Sequence, residues 1–229
     1  MASSKISNYL GTIDTINPFT DMSIGQTGRI VGTAFIVSFI IVVIVGNFIL
    51  SNFVNPGDTE ELENDIKDNE RFFNIAVVGY LIVLSLDAVI ALGIIIVLKP
   101  ANRPLAYLSG NLRFLYVVLG VTSVLALAFH LIDVEDYGTL KLIGYLFFTS
   151  HIFVTGYTVF ISGYIPRVFG VLLMLAFISY ILAFYLSFLV PEAVLMIFML
   201  FMIIGELSLS SWLVLRSAKL DEMVKAVPT

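Results

Sequence analysis

The apolar positions of this chain run on for twenty residues or more at a time and are separated by short polar stretches. A helix needs about 20 apolar residues to cross ~30 Å of hydrocarbon, because each residue advances it by about 1.5 Å. The runs lack the alternation of polar and apolar positions that a membrane β-barrel requires. The pattern therefore predicts six spanning helices, at roughly 29–54, 71–98, 105–131, 139–162, 167–190 and 192–216.

Composition agrees with this pattern. Hydrophobic residues make up 59% of the 229 residues and charged residues 13%, which lies far outside the range of soluble domains. The predicted fold is an all-α, polytopic six-helix bundle over 29–216, with a cytoplasmic segment over 1–28 and a short tail over 217–229. The absence of cysteine excludes disulfides and thiolate catalysis. We expect a lipid bilayer around the protein and no nucleic acid partner.

Basic residues near the span ends are unevenly divided between the two sides of the predicted bundle. The side with more of them carries Lys5, Arg29, Lys99, Arg103, Arg167, Arg216, Lys219 and Lys225. The other side carries only Lys67, Arg71 and Lys141, with acidic stretches at 58–70 and 133–136. Because Lys and Arg accumulate on the cytoplasmic side, we predict a multi-pass protein of the cell membrane with both termini in the cytoplasm.

Two stretches outside the spans have patterns of their own. Residues 4–17 place their apolar side chains on one helical face, which predicts a short interfacial helix, with a disordered tail as the alternative. The loop 55–70 carries seven carboxylates in sixteen residues. It lacks the spaced ligands and central glycine of an EF-hand, so we prefer a solvated acidic cap to a calcium site.

Five polar side chains, on five different spans, fall at nearly the same depth. Each lies ten to thirteen residues from a polar or basic residue at the cytoplasmic end of its span, or about 15–20 Å, near the bilayer midplane. They are Asp87, Arg113, His151, Tyr180 and Glu206. Ionisable groups at this depth are costly, face inward and usually pair, so these five residues, the polar layer, are the candidate ligand or proton site.

Charge balance within the polar layer suggests specific pairs. Arg113 cannot lose its charge, and Asp87 is its expected partner because a short loop makes their spans neighbours. Glu206 is expected nearby. Two acids against one arginine leave a residual negative charge, which protonated His151, a protonated acid or a bound cation could balance.

The role of the polar layer is open among a structural network, a ligand or proton site, and a catalytic site. We expect the structural arrangement, in which the ionisable side chains satisfy one another with no cavity beside them. The alternative is a pocket lined by Tyr180, Thr155 or Ser210, into which at least one of them points.

The cofactor content also stays open. His130 and His151 are separated by about 15 Å along the membrane normal, which excludes a bis-histidine haem but not a haem with one histidine ligand. Asp87, His151 and Glu206 are suitable metal ligand types. The fixed charge of Arg113 raises the cost of a second cation beside them, so we predict no metal.

Several motifs resemble a large bacterial and archaeal family of six-span membrane proteins, which is catalogued only as a domain of unknown function. The resemblance is strongest from Leu142 to Leu182. It extends to the NPGD motif at 55–58, the sequence LDAVIALGIIIVLKPAN that contains Asp87, and the Gly-Glu-Leu motif that contains Glu206. In all it covers about residues 28–216.

The resemblance implies six helices and typical polar positions, and it implies no activity. The matching polar positions are Asp87, Arg113, His151 and Glu206. The chain departs from the family at Thr149-Ser150, where members often have Gly-Leu, and at Ala183, where they often have an acid. The missing acid weighs against any mechanism that needs three carboxylates.

Our leading hypothesis is a non-enzymatic integral membrane protein, an accessory or scaffold subunit of a larger assembly. The chain contains no soluble domain, nucleotide motif or nucleophile constellation. Its partners would be other membrane subunits or further copies of itself. The first alternative is a small binding or proton-coupled carrier protein for a polar or amphiphilic molecule, with His151 and Glu206 taking up protons. The second is an intramembrane hydrolase with His151 as the base.

Overall fold

The computed structural model describes residues 17–45, 66, 68–186, 189 and 191–227, without the side chains of 192 and 193. This part of the chain is all-helical and contains no strand. Its helices are α1 (Ile24–Ile44), α2 (Glu70–Leu98), α3 (Arg103–Ala128), α4 (Val134–Ile161), α5 (Arg167–Tyr185) and α6 (Glu192–Lys225). All six are long and apolar enough to cross a membrane, which confirms the predicted all-α, six-span architecture.

Capping explains why two helices begin earlier than their hydrophobic runs. At the start of α1, Ser23 Oγ accepts a hydrogen bond from the backbone N–H of Gln26 at 3.1 Å. The side-chain oxygen of Gln26 accepts one from the Ser23 N–H at 3.2 Å, which completes a capping box. At the start of α4, Asp133 Oδ1 accepts from the Asp136 N–H at 2.7 Å. Helix starts that depend on capping precede the apolar residues by a turn or more.

The structure extends beyond the last predicted span and leaves two predicted features undescribed. Helix α6 continues past Arg216 to Lys225, so most of the stretch predicted as a tail is helical. The predicted interfacial helix at 4–17 and the acidic loop at 55–70 lie almost entirely outside the described residues. Asn17, the last residue of that predicted helix, is buried and donates a hydrogen bond from Nδ2 to the Leu92 carbonyl at 3.1 Å.

The six helices form a closed ring. Each helix packs against its neighbours in the chain, and α1 packs against α6. We call the end that carries Lys99, Arg103 and Arg167 the basic end, and the end that carries Asp133 and Asp136 the acidic end. Each helix contributes one face to the interior of the ring. Side chains at matching depths on different helices can therefore meet on its axis.

The interior of the bundle is packed from the basic end up to the polar layer. Its core cluster has members on all six helices and in the turn after α4: Val31, Ala34, Phe35, Ile90, Ile94, Val97, Leu98, Ala106, Phe148, Ile152, Val159, Tyr164, Ile165, Leu173, Ala176, Leu209, Leu213 and Leu220. The hydroxyl of Tyr164 donates to the Val97 carbonyl at 2.6 Å and ties this turn to α2. The half of the bundle toward the basic end is therefore closed.

Glycines allow the closest helix contacts in the ring. A Cβ atom on Gly170 of α5 would lie 2.6 Å from the Gly156 carbonyl oxygen of α4, and one on Gly156 would lie 3.0 Å from the Gly170 oxygen. A Cβ on Gly32 of α1 would lie 2.5 Å from the Ser210 carbonyl oxygen of α6. Small residues at membrane helix interfaces let backbones approach closely in this way.

Candidate functional site

Arg113 on α3 forms a buried ion pair with Asp87 on α2. Its Nη2 donates to Asp87 Oδ1, and the two residues are only 2% and 3% exposed. The short turn at 99–102 makes α2 and α3 adjacent and brings the two side chains together. Burying a lone ion would cost several kcal/mol, and the pair removes this net charge. The predicted partnership is confirmed.

His151 on α4 is held between Arg113 and the backbone of α3. Its Nε2 lies 3.1 Å from Arg113 Nη1, which can only donate, so Nε2 accepts. Its Nδ1 lies 2.9 Å from the Ser109 carbonyl oxygen, which can only accept, so Nδ1 carries the proton. The hydroxyl of Ser109 also bonds to Thr155 Oγ1 at 2.7 Å. The hydrogen bonds define a neutral imidazole, so a protonated His151 does not balance the layer.

Two phenylalanines cover the guanidinium of Arg113. Its Cζ lies 4.3 Å from the ring centroid of Phe35 on α1 and 5.3 Å from that of Phe148 on α4. A cation over an aromatic face is stabilised by the ring quadrupole, by ~2 kcal/mol when water is absent. The Nε atom is buried and has no hydrogen-bond partner among the described residues. The Nε–H group of Arg113 is therefore a free donor.

Glu206 on α6 is bonded to Tyr180 on α5. The Tyr180 hydroxyl donates to Glu206 Oε1. The preceding Gly205 lets α6 approach α5, since a Cβ there would lie 2.8 Å from the Leu172 carbonyl oxygen. Among the described residues the ion pair of Arg113 is with Asp87, not with Glu206. Glu206 shares the layer with Arg113, but its direct hydrogen bond goes to a tyrosine.

A cavity of about 320 Å³ begins at the polar layer and is lined by residues from all six helices. Asp87, Arg113 and Glu206 lie at its inner end. On every helix the other lining residues lie on the layer's level or nearer the acidic end: Phe35, Ser38, Phe39, Val42, Tyr80, Val83, Tyr116, Tyr145, Phe148, Tyr180, Phe184, Met199, Met202, Ile203 and Leu207. The cavity extends about 10 Å along the bundle axis, as judged from the helical rise between Asp87 and Tyr80. The polar layer thus separates a packed half of the bundle from a hollow half.

Aromatic rings form most of the wall of this cavity. Tyr145 and Phe184 lie with their ring centroids 4.5 Å apart, and Tyr180 stacks on Phe184 at 5.8 Å. Within the described part of the chain, the hydroxyls of Tyr80, Tyr116 and Tyr145 make no hydrogen bond. The wall therefore combines apolar ring surface with the polar hydroxyl groups of these tyrosines.

The cavity reaches the surface of the bundle between α1 and α6. Val42, Met199 and Ile203 line it and are also 41%, 48% and 38% exposed. Toward the basic end the same two helices are closely joined, since the Gly25 N–H donates to Asp221 Oδ1 at 3.2 Å. Nearer the acidic end, the exposed lining residues of the same two helices form a side opening of the cavity.

The expectation of a closed polar layer is therefore wrong. The cavity lies against Asp87, Arg113 and Glu206, although His151 does not line it. The expected lining residues are also partly wrong. Tyr180 lines the cavity, whereas Thr155 and Ser210 do not, because Thr155 bonds to Ser109 and Ser210 to the Glu206 carbonyl at 2.7 Å.

Three tyrosines of the wall, Tyr80, Tyr116 and Tyr145, were not predicted as site residues, although the sequence contains a signal for them. Tyr116 follows Arg113 by three residues, and Tyr80 precedes Asp87 by seven, so each shares a helical face with a residue of the polar layer. On α4, Tyr145 lies six residues before His151, and Phe148 lies three residues before it. On each helix, the residues that lie one or two turns from the polar-layer residue toward the acidic end are therefore the ones a sequence-based prediction of the cavity wall would select.

The two cofactor hypotheses fit the described residues poorly. Both ring nitrogens of His151 are engaged, which leaves no lone pair for a haem iron. His130 lies beyond the end of α3 and is exposed. In the described ranges, no group of three or more His, Asp or Glu side chains is arranged to hold a metal ion.

The fold and the site define a class of protein: a six-helix, multi-pass membrane protein with a closed half and a hollow half. Residues 30–141 and 122–217 match the family described as "Domain of unknown function (DUF4386)". Because these matches span most of the chain, the protein belongs to this family. The resemblance inferred from the sequence motifs is confirmed.

The comparison with curated proteins names no function. An uncharacterized protein of Archaeoglobus fulgidus is 28% identical over 149 residues, which covers 65% of this chain and 88% of that relative. No solved structure matches the chain. The polar layer and the cavity are therefore the features of this protein that bear on its function.

Proposed function

We propose that this protein binds an amphiphilic molecule in its central cavity and acts as a small membrane binding or carrier protein. The observation that carries the proposal is the cavity of about 320 Å³ that ends on Arg113 and Glu206. Ligand pockets begin at about 300 Å³ and combine apolar walls with a few convergent polar groups. The size and the lining of this cavity meet both conditions.

The order of polar and apolar groups along the cavity supports an amphiphile. Its inner end holds charged side chains, its wall is aromatic, and its outer part is lined by residues such as Val42 and Met199. A molecule with a polar head and an apolar chain matches this gradient. The opening between α1 and α6 supplies a route from the hydrocarbon of the bilayer, so the chain of the ligand need not cross water.

The other hypotheses receive less support from the geometry. A hydrolase would need a base that reaches its substrate, but His151 has both nitrogens engaged and does not line the cavity. For the same reason His151 is a poor proton acceptor. Glu206 therefore remains as the candidate residue for taking up a proton in a proton-coupled carrier. The accessory or scaffold role stays a prediction, with other membrane subunits or further copies of this chain as partners.

The proposed orientation gives the cavity a direction. When the protein lies in the cell membrane with its basic end on the cytoplasmic side, the packed half of the bundle faces the cytoplasm and the cavity opens toward the outer leaflet. In this orientation the protein would receive its ligand from the outer half of the bilayer. Release toward the cytoplasm would require the core near Val97 and Tyr164 to open.

Native mass spectrometry of the protein extracted with its surrounding lipid tests the proposal. We expect an amphiphile to remain bound to the wild type and to be lost when Met202, a half-buried lining residue, is replaced in Met202→Trp. The matched control is Ile204→Trp on the same helix, where the side chain is 48% exposed and does not line the cavity. Equal occupancy in both variants would contradict a ligand in this cavity.

A further inference from the structure

When Glu206 is ionised, the charges at the inner end of the cavity do not cancel. Asp87 and Arg113 form a neutral pair. Glu206 is the remaining ionisable side chain, and its contact is the hydroxyl of Tyr180 rather than a cation. Among the described residues that line the cavity, Arg113 is the only basic one. The site therefore offers one carboxyl group for which the described residues supply no cationic partner.

The surroundings of Glu206 favour a cation further. Phe148 meets the Tyr180 ring edge-on at a centroid distance of 5.4 Å, and Phe184 stacks on Tyr180. Aromatic rings carry negative faces, and rings grouped around a positive charge are the usual recognition device for quaternary ammonium groups. Such groups need no hydrogen-bond acceptor, so a wall of rings with one acid can hold them.

An anion would find little to bind at the same place. The guanidinium of Arg113 is paired with Asp87 through Nη2 and with His151 through Nη1. Phe35 and Phe148 cover the guanidinium. Nε has no hydrogen-bond partner among the described residues, and each Nη makes one hydrogen bond with its two N–H groups. Because Asp87 already balances the charge of the guanidinium, its remaining N–H groups suit a neutral oxygen, such as a carbonyl or a hydroxyl of a ligand, better than a full negative charge.

We infer that the ligand of this cavity is a hydrophobic organic cation, an amine or quaternary ammonium compound whose charged group lies at Glu206 among the aromatic rings. Its apolar chain extends past Met199 and leaves through the opening between α1 and α6. A carbonyl or hydroxyl oxygen of the ligand, where one is present, accepts from Arg113 Nε. This assignment rests on the proposed binding function and adds the charge and class of the ligand.

The test uses three probes with the same chain and different heads: decyltrimethylammonium, decyl sulfate and decanol. Each is measured below its micellar concentration by equilibrium dialysis, with the full chain in lipid nanodiscs and with empty nanodiscs as the reference. We expect decyltrimethylammonium to bind at least about tenfold more tightly than decyl sulfate, since desolvated cation–π and carboxylate contacts favour it. Tighter binding of decyl sulfate would overturn the inference.

Variants of one residue locate the effect. Glu206→Gln should weaken decyltrimethylammonium binding by about tenfold and leave decanol binding unchanged, while Glu206→Asp retains the preference for the cation. Glu222→Gln, an exposed carboxylate on the same helix, is the matched control and should change nothing. Unchanged cation binding in Glu206→Gln would overturn the inference. Unfolding midpoints verify that the variants are folded, and the wild-type probe series decides the question by itself.

The outcomes separate this inference from the proposed function. If decanol or decyl sulfate binds in the cavity and decyltrimethylammonium does not, the ligand class is wrong and the binding function stands. If none of the three probes binds above empty nanodiscs and no amphiphile accompanies the purified protein, the binding function itself fails.

Discussion

Arg113 donates a hydrogen bond from Nη1 to His151 Nε2, at 3.1 Å. This contact determines what the histidine can do, because an arginine has no acceptor and cannot lose its proton. A protonated His151 would place an N–H group against another N–H group. The histidine therefore belongs to the closed side of the polar layer, and Glu206 is left as the titratable residue on the open side.

The first prediction concerns the tautomer of His151. We expect a neutral ring with the proton on Nδ1 throughout about pH 5–8, since Arg113 and the Ser109 carbonyl hold both nitrogens. Nitrogen-15 NMR of histidine-labelled protein measures this directly. His130 is removed with His130→Asn, because its φ of 54° is a conformation that asparagine tolerates. An imidazolium signal from the remaining histidine within this range would contradict the assignment.

The second prediction concerns the buried ion pair. Arg113→Leu should lower the free energy of unfolding by about 3–5 kcal/mol, since it leaves Asp87 buried without its partner. The double variant Arg113→Leu with Asp87→Leu should be more stable than Arg113→Leu alone, because the stranded charge is gone. Unfolding in mixed detergent gives the values. Strictly additive losses from the two replacements would mean that the residues are not coupled.

The sequence predicted the polar layer better than it predicted the space beside it. Depth along a helix follows from residue counting, so the amino-acid order alone places Asp87 and Arg113 at one level. The cavity depends on how α1 and α6 pack beyond the close contact at Gly32, and residue counting does not give this packing. Val42 and Met199 are ordinary apolar residues in the sequence, and nothing in their pattern distinguishes a cavity wall from a lipid-facing surface.

The third prediction concerns the contact between α4 and α5. Gly170→Ala should lower the free energy of unfolding by about 1–3 kcal/mol, because the added Cβ would lie 2.6 Å from the Gly156 carbonyl oxygen and force the backbones apart. Gly138→Ala on α4 is the matched control, since a Cβ there meets nothing within 4 Å. Alanine is the better helix former by about 1 kcal/mol, so the control should be unchanged or stabilised. Equal effects of both changes would show that close approach is unimportant.

The last prediction concerns the orientation on which the direction of the cavity depends. The chain contains no cysteine, so a single introduced thiol reports its own location. Leu131→Cys lies at the acidic end, where the native side chain is 76% exposed, and Ala226→Cys follows α6 at the basic end. In intact cells a membrane-impermeant maleimide should label Leu131→Cys, and it should label Ala226→Cys only after lysis.

The reverse labelling pattern would place the acidic end in the cytoplasm and contradict the orientation derived from the Lys and Arg distribution. It would leave the cavity and the Glu206–Tyr180 contact intact, because both are properties of the bundle alone. The side opening between α1 and α6 would then face the inner leaflet, and a ligand would arrive from the cytoplasmic half of the bilayer. The labelling pattern therefore decides from which leaflet Glu206 can be reached.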